Sequence, residues 1–416
     1  MKNAVTLAAS IAISTLLAGS AFGEQPPSPD QIPGKRFEIR AEDLPPPYVD
    51  GPASNSSSAV ARGSHEPLVP HGFVVSLFAD GLEDARKLLV LDNGDVLLAE
   101  QDAGYVTLLR DADGDGKAET VKRFADGFAE PFGLAVVPGG EHKGDILVAD
   151  TRAVWRVPVK ADHEGGEAVA VTAEGVFGPP QGHSTRSLVV DPKDGAMYVG
   201  VGSMGNIDEE PEPKATIQRF DADGTNQTTF ASGMRNPIGV HLHPTTGKLW
   251  TTVQERDGLG NDLVPDYLTE VSEGDFYGWP YAYAGGRPQP GLADRAPDKV
   301  KATKMPSLLF QAHSSAIDFA FVPDSWPQEW RGDVIAALKG SWNRAPATGY
   351  KLVHVKFENG RPAGWYENFV TGFWVEGDER AKVWGRPASL AFLPDGGLLV
   401  ADDTGGTVWK VKPTAK

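Results

Sequence analysis

The chain has no cysteine among its 416 residues. That excludes a disulfide scaffold, a thiolate metal centre and covalently attached haem. Such a fold must be held by a core, and the chain is long enough to bury one. Positive charge is also scarce: 39 Lys and Arg stand against 56 Asp and Glu, a net charge of −17. A surface of that sign repels nucleic acid and anionic membranes, so an anionic ligand could bind only where basic residues are locally concentrated. Long apolar runs are confined to the N-terminus, where Lys2 precedes Ala4 to Leu17 and Ala21-Phe22-Gly23 supplies small residues for cleavage. This reads as a secretory signal peptide, too short and wrongly flanked for an anchor. Ser20 stands where a lipoprotein signal would carry Cys. A secreted or periplasmic protein without membrane insertion is expected.

Proline is frequent from Glu24 to Pro67, with Pro45-Pro46-Pro47 and then Ser54 to Ser58. The segment reads as a flexible or extended lead, a linker without function of its own.

After His71 one pattern returns six times: a Gly-containing turn and then a short apolar strand. The turns are Asn93-Gly94-Asp95, Lys143-Gly144-Asp145, Asp194-Gly195, Thr246-Gly247-Lys248, Arg331-Gly332-Asp333 and Asp395-Gly396-Gly397. An earlier apolar strand usually ends at Pro (Pro138, Pro192, Pro244, Pro323, Pro394), and further strands follow. Six units of about 50 residues with four short strands each predict an all-β, six-bladed β-propeller over residues 68–413. A β-sandwich would explain neither the period nor the phase. The first strand, Phe73 to Ala79, resembles the fourth strand of a unit, whereas the chain ends on a third, Thr407 to Val411. The N-terminal strand is therefore expected to complete the last blade. Longer stretches at Gly278 to Ala312 and Phe373 to Gly385 are candidate functional loops.

Counting back from the Pro that ends each inner strand aligns the units at one mouth. Nine residues before it stand His183, Arg235, Ser314 and Gly385; eight before it stand Glu130, Ser184, Asn236, Ser315 and Arg386. A lone His183 would read as a hydrogen-bonded turn residue, and any single Arg as an ion-pair partner. With Arg186, Arg235 and Arg386 together in an acidic chain, the cluster points to a bound anion. His313, ten before its Pro, fits either reading. Asp111, Asp113 and Asp115, with Gly114, Gly116 and Glu119, have the alternation of a calcium loop, but Lys122 stands at position twelve. A solvated hairpin and a weak Ca²⁺ site both fit.

Several strings resemble the soluble aldose and sorbosone dehydrogenases that use pyrroloquinoline quinone (PQQ). They are Gly182-His183-Ser184-Thr185-Arg186 leading to Tyr198–Ser203, Gly233-Met234-Arg235-Asn236-Pro237, Phe276-Tyr277-Gly278-Trp279-Pro280, Gly340-Ser341-Trp342-Asn343-Arg344, and Gly385-Arg386-Pro387. The resemblance runs from about Pro70 to Val411. It implies oxidation of an aldose or related sugar at C1, with hydride passing to the quinone and electrons leaving to a separate carrier. It makes His183 the general base and Arg235 the group that polarises the quinone oxygen. Asn236 would orient the quinone, and Lys339 and Arg386, with Arg186 beside them, would meet the cofactor carboxylates. It also implies Ca²⁺ near Glu255, Arg256 and Asp257. There the chain departs from the family, since Glu255 replaces a usual Gly. The chain also has Lys339 where His is common and Met204 to Asp208 where a Cys pair is frequent. Trp342, Trp374 and Trp384 are candidates for a sugar-stacking wall or a protein-binding surface. A propeller lactonase and a non-enzymatic binding propeller are the rival readings.

Overall fold

A computed structural model describes residues 26–414 apart from residue 162. The expected signal peptide lies outside the described residues. The fold is all-β. Six sheets of four or five strands follow one another along the chain, accompanied by a three-stranded and a two-stranded sheet. The first sheet is Ala85–Val90, Val96–Glu100, Tyr105–Arg110 and Thr120–Asp126, each strand antiparallel to the next. The second to fifth sheets begin at Gly133–Val136, Leu188–Val190, Asn236–Leu242 and Ala316–Phe321. The sixth is Pro387–Phe392, Leu398–Asp402 and Thr407–Pro413, and its outer strand is Phe73–Ala79 from the start of the chain. The phase read from the sequence is therefore observed as a pairing. Phe73 also packs its ring on Trp326, Trp330 and Phe369, tying the sixth sheet to the fifth.

The burial pattern explains the strand sequences. Second strands such as Val96–Glu100, Val334–Leu338 and Leu398–Asp402 are buried at every position. Covered on both faces by neighbouring sheets, they are close to continuous apolar runs. Outer strands, with one face in water, alternate, as in Phe73–Ala79 and Thr120–Asp126.

First strands of successive sheets pack against one another, and that of the sixth packs on that of the first. Four of these strands carry a register shift, at Ala85/Lys87, Pro237/Val240, Ala316/Asp318 and Pro387/Ser389. A bulge re-aims the residue that follows it. Three of those residues meet in the centre: Lys87 Nζ donates to both oxygens of Asp318 at 2.8 and 2.9 Å, and Ser389 Oγ donates to Asp318 Oδ2 at 2.7 Å. His241 Nε2 stands 2.7 Å from Asp318 Oδ1. Burial would push the Asp318 carboxyl up, but Lys87 and then His241 outweigh it and hold it well below the usual range.

Two expectations need correction. The segment before residue 67 is extended, but it is bound to the sheets and is not a free linker. Arg36–Phe37 adds a fifth strand to the fifth sheet, Phe37 stacks on Tyr366, and buried Asp30 pairs with Lys351 Nζ at 2.9 Å. Ser58–Ala59 pairs with Lys382–Val383. Proline and serine lower its local propensity, yet apolar anchors at Phe37, Ile39 and Leu44 dock it into the core. The Gly278 stretch is shorter than the sequence suggested, because Leu308–Ala312 is the fourth strand of the fourth sheet. The insertion proper holds a small hairpin and the helix Pro297–Ala302.

Candidate active site

In an antiparallel sheet the segment entering the first strand and the one leaving the second share one end. Residues 182–186 enter the third sheet, while Lys339 and Asp403 directly follow second strands. An open cavity of about 220 Å³ at this end is lined by Arg86, His183, Ser184, Asn236, Ser315 and Lys339, among others, with Asp403 bonded to two of its cations from behind. Four of the residues aligned from the sequence thus come together with Lys339.

His183 Nδ1 lies 2.8 Å from the carbonyl oxygen of Ser203, an acceptor. Nδ1 therefore carries the proton and donates, leaving Nε2 with a lone pair and no hydrogen bond among the described residues. Burial, then the nearby charge of Arg235, lowers the His183 pKa to about 4, so the imidazole is neutral at pH 7. Two glycines permit this packing. A Cβ on Gly202 would stand 2.3 Å from Asn236 Oδ1 and 2.6 Å from His183 Cβ. Gly182, at φ +87°, leaves no room for one either, since a Cβ would meet Met204 Cα at 2.3 Å. Asn236 Nδ2 donates to Gln254 Oε1 at 3.2 Å, and its Oδ1 is buried without a partner among the described residues.

Three cations share one carboxylate at the mouth. Lys339 Nζ and Arg86 Nη1 each lie 2.6 Å from Asp403 Oδ2, and Arg386 Nε lies 3.1 Å from Oδ1. The group carries a net charge of about +2. Burial, then Arg86, lowers the Lys339 ammonium to about 8. The terminal nitrogens of Arg386 make no hydrogen bond among the described residues, and its side chain is one-third exposed. Sequence alignment missed Arg86 and Asp403. In the first sheet Asp92 stands where other units have Pro, so that strand dropped out of the count, and Arg86, six before Asp92, lies outside the two counted positions; Asp403 lies just beyond a strand read as ending at Ala401.

Arg235 and Arg186 sit elsewhere than expected. Arg235 is buried behind the cavity, donating to Asn206 O at 3.1 Å, Glu255 O at 3.0 Å and Asp257 Oδ2 at 3.4 Å. Arg186 is fully buried and donates to the carbonyls of His183 and Thr185. It braces the turn that presents His183 and does not line the cavity. His313 is buried, with Nδ1 3.3 Å from Asp257 Oδ1 and Nε2 2.9 Å from Gly260 O.

The residues assigned to calcium are together but occupied. Asp257 Oδ1 accepts from Asn343 Nδ2 at 2.7 Å, and Arg256 turns its guanidinium onto Asp257 O. The Glu255 carboxyl is fully buried, and that burial, only partly offset by Arg235, raises it to about 8. Carbonyl and carboxylate oxygens suit a hard cation, but here Arg235 already holds two of them, Glu255 O and Asp257 Oδ2. Asp111, Asp113, Asp115 and Glu119 bring one carboxylate oxygen each within 4.8 Å of one another. Their hairpin joins third and fourth strands, hence the opposite end from the cavity, and the carboxylates accept amides of their own loop. Trp374 and Trp384 are buried core residues bonded to backbone carbonyls, which removes them from any sugar-stacking wall. Trp342 is 52% exposed.

The TrAA12-like family model matches residues 67–284 and 292–414. The chain belongs to the TrAA12-like family. A PQQ-dependent pyranose dehydrogenase of Coprinopsis cinerea is 25% identical over 415 residues, covering 83% of this chain and 54% of that protein. An uncharacterized protein of Borreliella burgdorferi is 29% identical over 235 residues, covering 56% of this chain and 61% of its own length. The TrAA12-like chain thus spans little more than half the length of the curated relatives it matches. Its fold is that of the holo PQQ domain of the Coprinopsis cinerea pyranose dehydrogenase, with a TM-score of 0.70 at 20% identity over 84% of this chain and 97% of that one. The apo soluble aldose sugar dehydrogenase of Escherichia coli matches at a TM-score of 0.57, 16% identity, 82% of this chain and all of that one. The resemblance read from the sequence strings is thereby shown at the level of the family. Among the described residues no helix is long and apolar enough to cross a membrane.

Proposed function

We propose that this TrAA12-like protein is a PQQ-dependent dehydrogenase that oxidises a pyranose or related aldose at C1. The single observation that carries the reading is the free, unprotonated Nε2 of His183 in the same cavity as Lys339, Arg86 and Asn236. The six sheets, whose first strands pack in a cycle, are read as six blades around that axis.

The donor set fits the cofactor. Arg86, Lys339 and Arg386 leave about two positive charges uncompensated by Asp403, which suits a cofactor bearing carboxylates. The unpartnered Asn236 Oδ1 and the unbonded end of Arg386 supply further polar contacts. PQQ, when bound, supplies a two-electron acceptor for the hydride. His183 Nε2 takes the hydroxyl proton as the sugar C1–H bond gives up its electron pair, so proton and hydride leave in separate directions. Arg235, held rigid by three oxygens, places a fixed positive charge behind the cavity, where negative charge develops. Ca²⁺ is read as a companion of the cofactor at Glu255, Arg256 and Asp257, in competition with Arg235 for their oxygens. A separate carrier takes the electrons, and the expected leader places the protein in the periplasm or outside the cell. A lactonase would need a cage of carboxylates and amides around a divalent ion; this mouth sets three cations on one carboxylate.

The test is to add PQQ with and without Ca²⁺ to the apo-protein and follow quinone absorbance and dye-linked oxidation of aldoses. Tight PQQ binding with sugar-dependent dye reduction is expected. Saturation with both and no oxidation of any aldose would overturn the reading.

A further inference from the structure

We propose that the N-terminal segment from Tyr48 to Ser58 braces the loops behind the active site and that Asn55 is its positioning residue. This segment precedes the family match, which begins at residue 67. Asn55 N donates to Trp342 O at 2.8 Å, its Nδ2 to Arg344 O at 2.6 Å, and its Oδ1 accepts from Arg344 N at 3.2 Å. Nδ2 also bonds to Glu379 O. A side-chain amide offers a donor and an acceptor together, as a peptide does, so Asn55 pairs with the loop much as a strand would.

The residue clamped between those bonds is Asn343. Its Nδ2 donates to Asp257 Oδ1, and the other oxygen of Asp257 accepts from Arg235, the charge that acts on His183. Among the described residues Asn343 Oδ1 is buried without a hydrogen-bond partner. The segment grips the opposing loop as well: Tyr48 N donates to Leu259 O at 2.7 Å, two residues from Asp257. Arg344 Nε and Ala345 N close the gap by donating to Asn261 O and Asn261 Oδ1, each at 3.0 Å. Ser58 N to Ala381 O, at 2.9 Å, and Arg380 Nε to Ser56 O, at 2.8 Å, bring in the loop before the sixth sheet. Three segments of the mouth are thus held to one another by a piece of chain that sequence alone reads as a linker. The path from Asn55 runs through Trp342–Arg344, Asn343 and Asp257 to Arg235.

The proposal rests on the dehydrogenase reading only for what turnover means, so its test has a second readout in the apo-protein. Hydrogen exchange in full-length Asn55→Ala should accelerate about 10-fold or more at the amides of 258–261 and 341–345, while Val96–Glu100 in the first sheet stays unchanged. In the PQQ-loaded enzyme kcat should fall roughly 10- to 100-fold with little change in the sugar KM, as expected when reacting groups are misplaced but the pocket persists. Asn55→Asp keeps the acceptor for Arg344 N but sets a carboxylate oxygen against the carbonyls of Arg344 and Glu379, so both readouts should move at least as far as in Asn55→Ala. Arg40→Ala, in the same lead but paired only with exposed Glu38, should alter neither. Unchanged exchange at both loops, or a lowered melting temperature with turnover per folded molecule intact, would overturn the proposal. Wild type that binds no PQQ would sink the dehydrogenase reading, and exchange alone would then decide the role of Asn55.

Discussion

The Nζ of Lys339 lies 2.6 Å from Oδ2 of Asp403, joining the ends of the second strands of the fifth and sixth sheets across the mouth. Asp403 does not neutralise the site, because Arg86 and Arg386 bond to the same carboxylate. Burial would raise its pKa, but Lys339, Arg86 and Arg386 together hold it well below the usual range. The carboxylate therefore spaces three cations that would otherwise repel one another.

Removing one of those cations should weaken the anion site without unfolding it. Lys339→Met leaves Asp403 with two partners, and Arg386→Gln removes the guanidinium whose end is unbonded. Losing one charge-assisted partner costs about 1.5–3 kcal/mol, or roughly a 10- to 100-fold rise in the Kd for PQQ. Fluorescence quenching by PQQ measures it. Equal affinity in wild type and both variants would move the carboxylates elsewhere.

The axis makes a different demand. Lys87→Met would leave Asp318 as a buried carboxylate with His241 and Ser389 but without its ammonium. Breaking a buried pair from one side costs about 3–5 kcal/mol, to be read by urea denaturation. The double variant Lys87→Met with Asp318→Leu should recover part of that loss, since no charge is then stranded. A single-variant cost below about 1 kcal/mol would mean that water reaches Asp318 and the bulged strands do not seal the centre.

Glu255 should give the protein a pH-dependent stability of opposite sign to that of an ordinary ion-paired carboxylate. Its folded pKa is raised from 4.5 to about 8. The folded state keeps a proton that the unfolded chain releases, so this contribution is full below about 4.5 and is lost as pH rises through about 8. In metal-free protein, Glu255→Gln should gain stability relative to wild type between pH 5 and pH 9. Asp266, raised to about 6 by burial, keeps a smaller slope in the variant. Urea midpoints that run parallel across that range would show that Glu255 is ionised in the fold.

Much of this architecture was legible because it is written in a repeat. The Gly turns mark the second strands, and the phase of Phe73–Ala79 against Thr407–Val411 predicted a pairing that the sixth sheet contains. Counting back from Pro brought His183, Ser184, Asn236 and Ser315 to one cavity. What the count could not supply was side-chain direction. Arg235 shares the depth of His183 and Arg186 stands three residues after it, yet Arg186 turns onto the carbonyls of its own turn and Arg235 onto the Glu255 segment. The lead was illegible for another reason. Asn55 and Tyr48 bind through backbone and amide groups, which leave no periodic signature, and their partners lie more than 200 residues away.

His183 should set the acid side of the pH dependence of turnover. Because burial and Arg235 hold its pKa near 4, the base is deprotonated through the neutral range, and kcat/KM should fall only as pH drops toward about 4. Arg235→Met removes a cation that disfavours the imidazolium, so the acid limb should move up toward the ordinary 6.5, although burial keeps it from arriving there. The height of that profile falls as well, since the variant loses charge stabilisation in the transition state; the position of the limb separates the two effects. His183→Asn should retain PQQ binding, because Lys339, Arg86 and Arg386 are untouched, and lose turnover by roughly 10²–10⁴. Its remaining rate should lack the acid limb altogether. An Arg235→Met limb at the wild-type position would mean that the group titrating in turnover is not His183, and wild-type rates in His183→Asn would assign the proton to another acceptor in the cavity.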